Sequence, residues 1–353
     1  MAKNTRMLNA KISQFDEYFT EYRAIANEIP HYREHLKNKV IYMNCDDPFS
    51  SNFWRYFHNN FTSLGLKKII STHFVKNSEP SYMLEYDGGD DFNMDAGKIN
   101  PIYGDELYTA GDFRSKDCIG LLNKADIVIT NPPFSLFREF LEQLLDHNKE
   151  FIVIGNMSAI NNKDFFPLLK DNQLWTGYKP YSGGMDMIVP EKDFDPNKVK
   201  KYTINGAGQY IVNVEGVIWY TNIDTQKRKD GFWHKNGVFD MEISHKYYEG
   251  NESYYLNYDN FDGIDVRQLS DIPIDYTGKM GVPITFFEKY NPDEFELIGI
   301  GSGKSAASIG VTKNYRGRTD IAYTLPDGTQ KCPFSRLIVK NKNPIKKSDD
   351  KGF

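Results

Sequence analysis

Between residues 38 and 175 short apolar runs alternate with amphipathic stretches, and the alternation predicts the fold. Val40-Ile41-Tyr42-Met43 reads as a first buried strand, followed by a helical pattern carrying Phe53, Trp54, Phe57 and Phe61. Lys68-Ile69-Ile70-Ser71-Thr72 reads as the next strand, and residues 77–104 form a polar, Gly- and Asp-rich excursion. Gly111-Asp112-Phe113 marks a turn, and Ile119 to Leu122 lead into Ile127-Val128-Ile129, an apolar run suited to a strand covered on both faces. Leu136, Phe137, Phe140, Leu141, Leu144 and Leu145 recur at helical spacing, with Ser135 as the expected N-cap, and Phe151-Ile152-Val153-Ile154 is a further strand. Strand–helix alternation of this kind indicates an α/β, doubly wound parallel sheet. Residues 1–38 are helical in character, with Ile25, Ile29 and Tyr32 among polar positions. After residue 175 the pattern shifts to short strands between glycines, such as Gly216 to Tyr220. From 231 onward it is rich in Tyr, Asn, Asp and Gly, and 346–353 reads as a frayed tail. The shift suggests two domains, 1–230 and 231–353.

Composition narrows the class without naming a chemistry. With 353 residues, 26% charged and 40% hydrophobic, the chain can bury a full core as a soluble globular protein. No apolar stretch approaches a membrane span and no signal-peptide core opens the chain, so a cytoplasmic location and no membrane partner are expected. Cys45, Cys118 and Cys332 are far apart and odd in number, which gives neither a disulfide framework nor a zinc spacing; no metal is expected. The net charge of −5 argues mildly against a polyanionic partner, although local fields override net charge. Basic clusters stand at Lys198-Lys200-Lys201, Lys227-Arg228-Lys229, Arg316-Arg318 and between Lys340 and Lys347. Most short runs of this kind are solvated surface.

The chemistry lies at Asn131-Pro132-Pro133-Phe134, at the end of the run Ala125 to Thr130. Proline fixes φ near about −65° and has no N–H, so two in succession make a stiff extended turn whose carbonyls stay free to accept hydrogen bonds. The Asn131 side-chain oxygen and the Pro132 carbonyl can together grip both hydrogens of a planar amino group. Phe134 can then stack on the attached ring, a contact worth roughly 1–3 kcal/mol for a base. An ordinary proline turn after a core strand is the competing reading. The strand before and the helix after weigh against it, because ligands of open α/β sheets bind at the carboxyl ends of strands.

A cofactor is expected at the end of the first strand, where the loop is Asn44-Cys45-Asp46-Asp47-Pro48. It lacks the usual glycine-rich turn. Two acids here either meet the positively charged amino-acid end of S-adenosylmethionine or cap the following helix. Upstream, Phe15-Asp16-Glu17-Tyr18-Phe19-Thr20 offers aromatic and hydroxyl groups able to fold over a cofactor. Gly299 to Ser305 imitates a phosphate loop, but position 298 is Ile where the pattern requires glycine, so it reads as a flexible loop.

Together these segments resemble the EcoRI-type adenine-specific DNA methyltransferases, the modification enzymes of restriction–modification pairs. The resemblance runs through Asp16 to Thr20, His31-Tyr32-Arg33-Glu34-His35, Val40 to Pro48, Gly111 to Ser115 and Asn131 to Arg138. It resumes at Tyr258-Asp259-Asn260, Met280 to Phe286 and Lys331-Cys332-Pro333. It implies the class I S-adenosylmethionine-dependent methyltransferase fold, a doubly wound mixed sheet with a C-terminal DNA-recognition region. On that basis 1–230 is the cofactor-binding and catalytic domain and 231–353 contacts DNA. S-adenosylmethionine is the implied methyl donor and double-stranded DNA the implied partner. A companion restriction endonuclease would act on the same site, with no obligate protein partner. Carried over, Tyr18, Phe19, Thr20, Asn44, Cys45, Asp46, Asp47, Asp112, Phe113 and Asn131 line the cofactor site, and Asn131, Pro132, Pro133 and Phe134 are catalytic. Most relatives outside the family have Tyr at the last position; Phe134 keeps the stacking face. Lys227, Arg228, Arg316 and Arg318 are the candidate DNA contacts. Enzymes acting on RNA bases or protein glutamines share the motif, since these groups also present a planar amino group, and a decayed DNA-binding protein is the non-enzymatic alternative.

Overall fold

The computed structural model describes residues 18–346, apart from Ser78, Phe92, Asp95, Lys163, Asp164, Lys198, Lys200, Gly237 and residues 241–244. Expectations for Phe15, Asp16, Glu17, Lys198, Lys200, Lys347 and the tail fall outside the described residues. The chain divides into two compact units, residues 1–157 with 176–223 and residues 158–175 with 224–353.

In the first unit β1 (Phe19–Thr20) leads into α1 (Tyr22–Glu28), and β2 (Val40–Met43) is followed by α2 (Asn52–Asn59). Phe53, Trp54 and Phe57 of α2 are almost completely buried, each worth about 1.5–3 kcal/mol of burial. Next come β3 (Lys68–Thr72), β4 (Ser81–Tyr86), β5 (Lys98–Ile102) and α3 (Lys116–Lys124). β6 (Ile127–Thr130), α4 (Phe137–Asp146) and β7 (Glu150–Asn156) complete the alternation. The polar excursion thus conceals two strands. β8 (Met185–Val189), β9 (Tyr210–Val214) and β10 (Val217–Thr221) close the unit.

The main sheet runs β5-β4-β3-β2-β6-β7-β10, with the short strand Trp175–Thr176 at its edge. β3, β2, β6 and β7 are parallel neighbours, whereas β4, β5 and β10 pair antiparallel, so the sheet is mixed and not the parallel one the alternation predicts. β4 and β5 follow β3 as antiparallel neighbours, with no crossover helix between them among the described residues. From β2 the chain crosses to β3 on one side and later returns to β6 on the other. This opens a switch point at the carboxyl ends of β2 and β6. A second sheet, β1-β8-β9 with Thr203–Ile204, fixes the N-terminal segment through the pairs Phe19–Ile188 and Thr20–Met187.

One capping expectation is corrected and one capping alternative is set aside. α4 begins at Phe137 after a 3₁₀ turn over Phe134–Leu136, so Ser135 is not its N-cap. The stiff proline pair holds Pro133 extended (φ −61°, ψ 123°), and the chain needs a tight turn before it can enter the helix. The acids after β2 do not cap α2 either: Ser51 does, accepting the Phe53 N–H at 3.0 Å.

The second unit is built on a five-stranded sheet. It comprises β11 (Leu256–Asn257), β12 (Ile264–Asp265), β13 (Lys279–Pro283), β14 (Phe295–Ile300) and β15 (Arg336–Asn341), in the order β11-β12-β13-β15-β14. Only the β12–β13 pairing in this sheet is parallel.

Candidate active site

β2 and β6 are neighbours, and the loops that leave them are joined by the side chain of Asp46. Its Oδ1 accepts the Ser51 hydroxyl (2.7 Å), while Oδ2 accepts the Asn131 backbone N–H (3.2 Å) and the Thr130 hydroxyl. The Thr130 oxygen in turn accepts the Cys45 N–H (3.2 Å), and the Ser71 hydroxyl donates to the Asp46 carbonyl. Asp46 is 7% exposed, and burial pushes its pKa up to about 6 although the hydrogen bonds from Thr130, Ser51 and Asn131 pull it down. Burial, reinforced by the Asp46 charge, also pushes the Cys45 thiol well above its ordinary pKa. Cys45 therefore stays a neutral thiol.

Asn131 is held from a second direction. Its Nδ2 donates to the Tyr18 carbonyl at 3.0 Å, and its Oδ1 is buried without a partner. Two other atoms of the expected cofactor segments share that state, the Thr20 hydroxyl oxygen and the Asn44 Nδ2. A buried polar group left unpaired costs about 1–3 kcal/mol. The hydroxyl and the amide donor at the sheet switch point fit a polar cofactor that completes them, and the Asn131 acceptor stays open to a second polar group. S-adenosylmethionine, with its amino, carboxylate and adenine groups, has the matching chemistry.

The remaining expected residues are accounted for by their contacts. Asp47 accepts from the Phe49 N–H (3.1 Å), the Ser50 hydroxyl (3.0 Å) and the Tyr82 hydroxyl (3.0 Å), with His73 Nδ1 at 3.5 Å. The His73 ring stacks on Tyr82, centroids 4.8 Å apart. Gly111 has φ +81°, and a β carbon there would strike the His73 carbonyl, so the turn carrying Asp112 is seated against the end of β3. Asp112 is gripped in fork-to-fork fashion by Arg114, Nε to Oδ1 at 2.9 Å and Nη2 to Oδ2 at 2.8 Å. Phe113 packs edge-on against Phe140. Phe134 is 7% exposed and lies in the core, and Phe137 packs so closely on Gly155 that a β carbon there would enter its ring. Phe19, in contrast, is exposed.

Sequence reasoning missed Ser51, Thr130, His73, Tyr82 and Arg114. Thr130 carried the one available signal, a polar residue closing an otherwise apolar strand immediately before the motif. Among the described residues no group of three His, Cys, Asp or Glu is disposed to hold a metal ion, and no helix is long and apolar enough to cross a membrane.

The four cationic candidates lie in the second unit. Arg228 is a packing residue: its guanidinium lies 3.9 Å from the Trp175 ring centroid, Nη2 donates to Asn172 Oδ1 at 2.7 Å, and burial lowers its pKa. Lys227 is half-buried on the short helix Gln226–Asp230, whereas Arg316 and Arg318 are exposed on a loop.

The family model for the adenine-specific methyltransferase EcoRI matches residues 6–342. The chain belongs to the EcoRI family of adenine-specific methyltransferases. It is 40% identical to the type II methyltransferase M.EcoRI of Escherichia coli, over 97% of this chain and 98% of that protein. It is also 36% identical to M.MpnI of Mycoplasma pneumoniae, over 82% and 83% of the two chains, and 35% identical to M.MgeORF184P of Mycoplasma genitalium, over 82% and 84%. No solved structure gives a significant match. As a member of this family the chain is a site-specific DNA methyltransferase that moves a methyl group from S-adenosylmethionine to N6 of adenine. Its mixed, doubly wound sheet followed by a C-terminal β unit is the corresponding class I architecture.

Proposed function

We propose that this methyltransferase acts on an adenine flipped out of the duplex, with Asn131 and Pro132 as its amino clamp. The observation that carries the reading is the buried Asn131 Oδ1, an acceptor with no partner in a side chain whose other end is already fixed to the Tyr18 carbonyl. N6 of adenine is a poor nucleophile because its lone pair is delocalised into the ring. Hydrogen bonds from its two hydrogens to Asn131 Oδ1 and the Pro132 carbonyl favour a more tetrahedral nitrogen. With the cofactor bound, Asn131 and the Pro132 carbonyl would hold N6 in line with the activated methyl group, and N6 would give up one proton to water as it is methylated. The cofactor supplies an activated methyl group on a sulfonium, so this chain needs mainly to position the reactants, which is worth several kcal/mol, up to about 7–11.

Tyr18, Phe19, Thr20, Asn44, Cys45, Asp47, Asp112 and Phe113 hold the cofactor in this reading, with Thr20 Oγ1 and Asn44 Nδ2 as polar contacts. Asp46 acts through Asn131 as a positioning residue. An adenine within a duplex cannot reach a buried acceptor, so the base leaves the stack, and Phe134 contacts it after a local opening of the 3₁₀ turn. The first unit carries the chemistry and the second contacts DNA. A cytoplasmic location and a companion endonuclease cutting the same site follow from the modification role. The test is to map methylated adenines in DNA from cells expressing the chain or its Asn131→Ala variant. A single methylated motif that disappears in the variant is expected; unchanged methylation in the variant overturns the clamp.

A further inference from the structure

Tyr258-Asp259-Asn260, Lys331-Cys332-Pro333 and the start of the short helix Gly303–Ser308 take no part in the chemistry above, yet within the second unit they meet around one loop. Asn260 closes its neck: Nδ2 donates to the carbonyls of Thr312 (2.8 Å) and Asp320 (2.9 Å), and Oδ1 accepts the Ala322 N–H (2.9 Å). Asn314, only 8% exposed, fills its interior. The Asn314 Oδ1 accepts the backbone N–H groups of Arg316 (2.8 Å) and Arg318 (3.2 Å). Its Nδ2 donates to the Asp320 carbonyl (3.0 Å) and the Cys332 Sγ (3.2 Å). From the flank, Asp320 Oδ1 accepts the Gly303 N–H (2.9 Å) and the Thr319 hydroxyl donates to the Gly303 carbonyl (3.0 Å). The tip held in this way exposes Lys313, Tyr315, Arg316 and Arg318, with the Arg316 guanidinium 5.0 Å from the Tyr315 ring centroid.

We propose that the loop Lys313–Arg318 reads the bases of the methylation site, with Arg316 and Arg318 as base-contacting side chains and Asn260 and Asn314 as positioning residues. This rests on the second unit being the DNA-facing part of the enzyme. Attraction to phosphates needs only charge and tolerates mobile lysines. Reading a base edge needs donors at fixed positions, and the planar fork of arginine matches the O6 and N7 acceptors of guanine in the major groove. The buried Asn314 and the half-buried Asn260, holding the backbone from within and at the neck, supply that fixity, leaving only the arginine side chains to order on binding. In a chain of net charge −5, three cations within six residues also concentrate positive potential where the duplex is met.

The full-length chain and its Arg316→Ala and Arg318→Ala variants are compared for binding to a duplex carrying the mapped site and to duplexes with each base pair changed in turn. In at least one variant, discrimination is expected to collapse at one base pair, by roughly tenfold or more. The methylated motif in cells should relax at the same position, with cofactor binding unchanged. Asn314→Ala is expected to relax the same position, and if it fails to fold, the two exposed arginines carry the test alone. Equal weakening on every duplex with an unchanged motif would mean phosphate contact only, and no effect in either variant would mean no contact; both overturn the proposal. A failure of the Asn131 clamp would leave this binding discrimination intact, so the two readings fail separately.

Discussion

The carboxylate of Asp46 accepts the backbone N–H of Asn131 at 3.2 Å, so the loop after β2 sets the position of the Asn-Pro-Pro turn. Both oxygens of that carboxylate are used inside the protein and Asp46 is buried, whereas Asp47, equally engaged, keeps part of its side chain exposed. Asn at this position can reproduce the bracket, with Oδ1 toward Thr130 and Asn131 and Nδ2 donating to the Ser51 oxygen. Asp46→Asn should therefore keep its KM for S-adenosylmethionine within about threefold, whereas Asp46→Ala should lose kcat by about tenfold or more as Asn131 is released. Steady-state methylation kinetics decide it: a large rise in cofactor KM for Asp46→Asn would assign the charge to the cofactor.

The same residue predicts a pH dependence of stability. Folded Asp46 keeps its proton up to about pH 6, against 3.8 for an ordinary aspartate. Between those values the folded state binds more protons than the unfolded one. The contribution of Asp46 is therefore fully present below pH 3.8 and lost as pH rises through about 6, a change of about 3 kcal/mol. Asp46→Asn removes this slope. In urea titrations from pH 5 to 8, the variant should gain stability relative to the wild type as pH rises; a constant difference would contradict the buried charge.

Asn131→Ala removes the unpartnered Oδ1 and the Nδ2 bond to Tyr18 together. Loss of a preorganised hydrogen-bonding group at a reacting centre typically costs about 100–1,000-fold in kcat. Calorimetric binding of S-adenosylmethionine should change little, since the backbone N–H that Asp46 holds is retained. Methyl transfer at more than a tenth of the wild-type rate would remove Asn131 from the mechanism.

How far the sequence disclosed this site depended on the range of each interaction. β2, β6 and the Asn-Pro-Pro turn were legible because their apolar runs and proline geometry are local properties. The mixed sheet was only partly so: β4 and β5 lie in a Gly- and Asp-rich stretch whose composition hides its strands. The Asp46 bracket joins residues 85 positions apart, and the Asn260 and Asn314 pins likewise act through tertiary contacts, which no local pattern encodes. Ser135 was misread for a physical reason, because the proline pair forces a 3₁₀ turn where a helix would otherwise begin.

Gly111 offers a test of how the Asp112 turn is seated. Its φ of +81° favours glycine, and an added β carbon would collide with the His73 carbonyl. Gly183 has a similar φ of +83° with nothing within 4 Å of the added carbon. Gly183→Ala should thus cost only the backbone term, about 1–2 kcal/mol. Gly111→Ala adds overpacking of about 1–3 kcal/mol and, by shifting Asp112 and Phe113, should weaken cofactor binding as well. Equal destabilisation of the two variants would show that the contact with β3 is unimportant.

In the second unit Asp265 sets up a comparable contrast. Its side chain is fully buried, and Oδ1 accepts both the Tyr258 hydroxyl (2.8 Å) and Arg336 Nε (2.9 Å). The Arg336 side chain is only 13% exposed, so removing the carboxylate strands a cation in a poorly solvated place. Asp265→Ala should cost about 3–5 kcal/mol on that account. Tyr258→Phe removes one neutral donor and leaves the ion pair intact, so about 1–2 kcal/mol is expected. Replacing both charged partners, Asp265→Ala with Arg336→Met, should recover part of the first loss, because no unpaired charge then remains. Denaturant unfolding of the three variants measures this directly. If the double variant is no more stable than Asp265→Ala alone, the cost lies in the lost packing around Tyr258 and Gly281 and not in the stranded guanidinium.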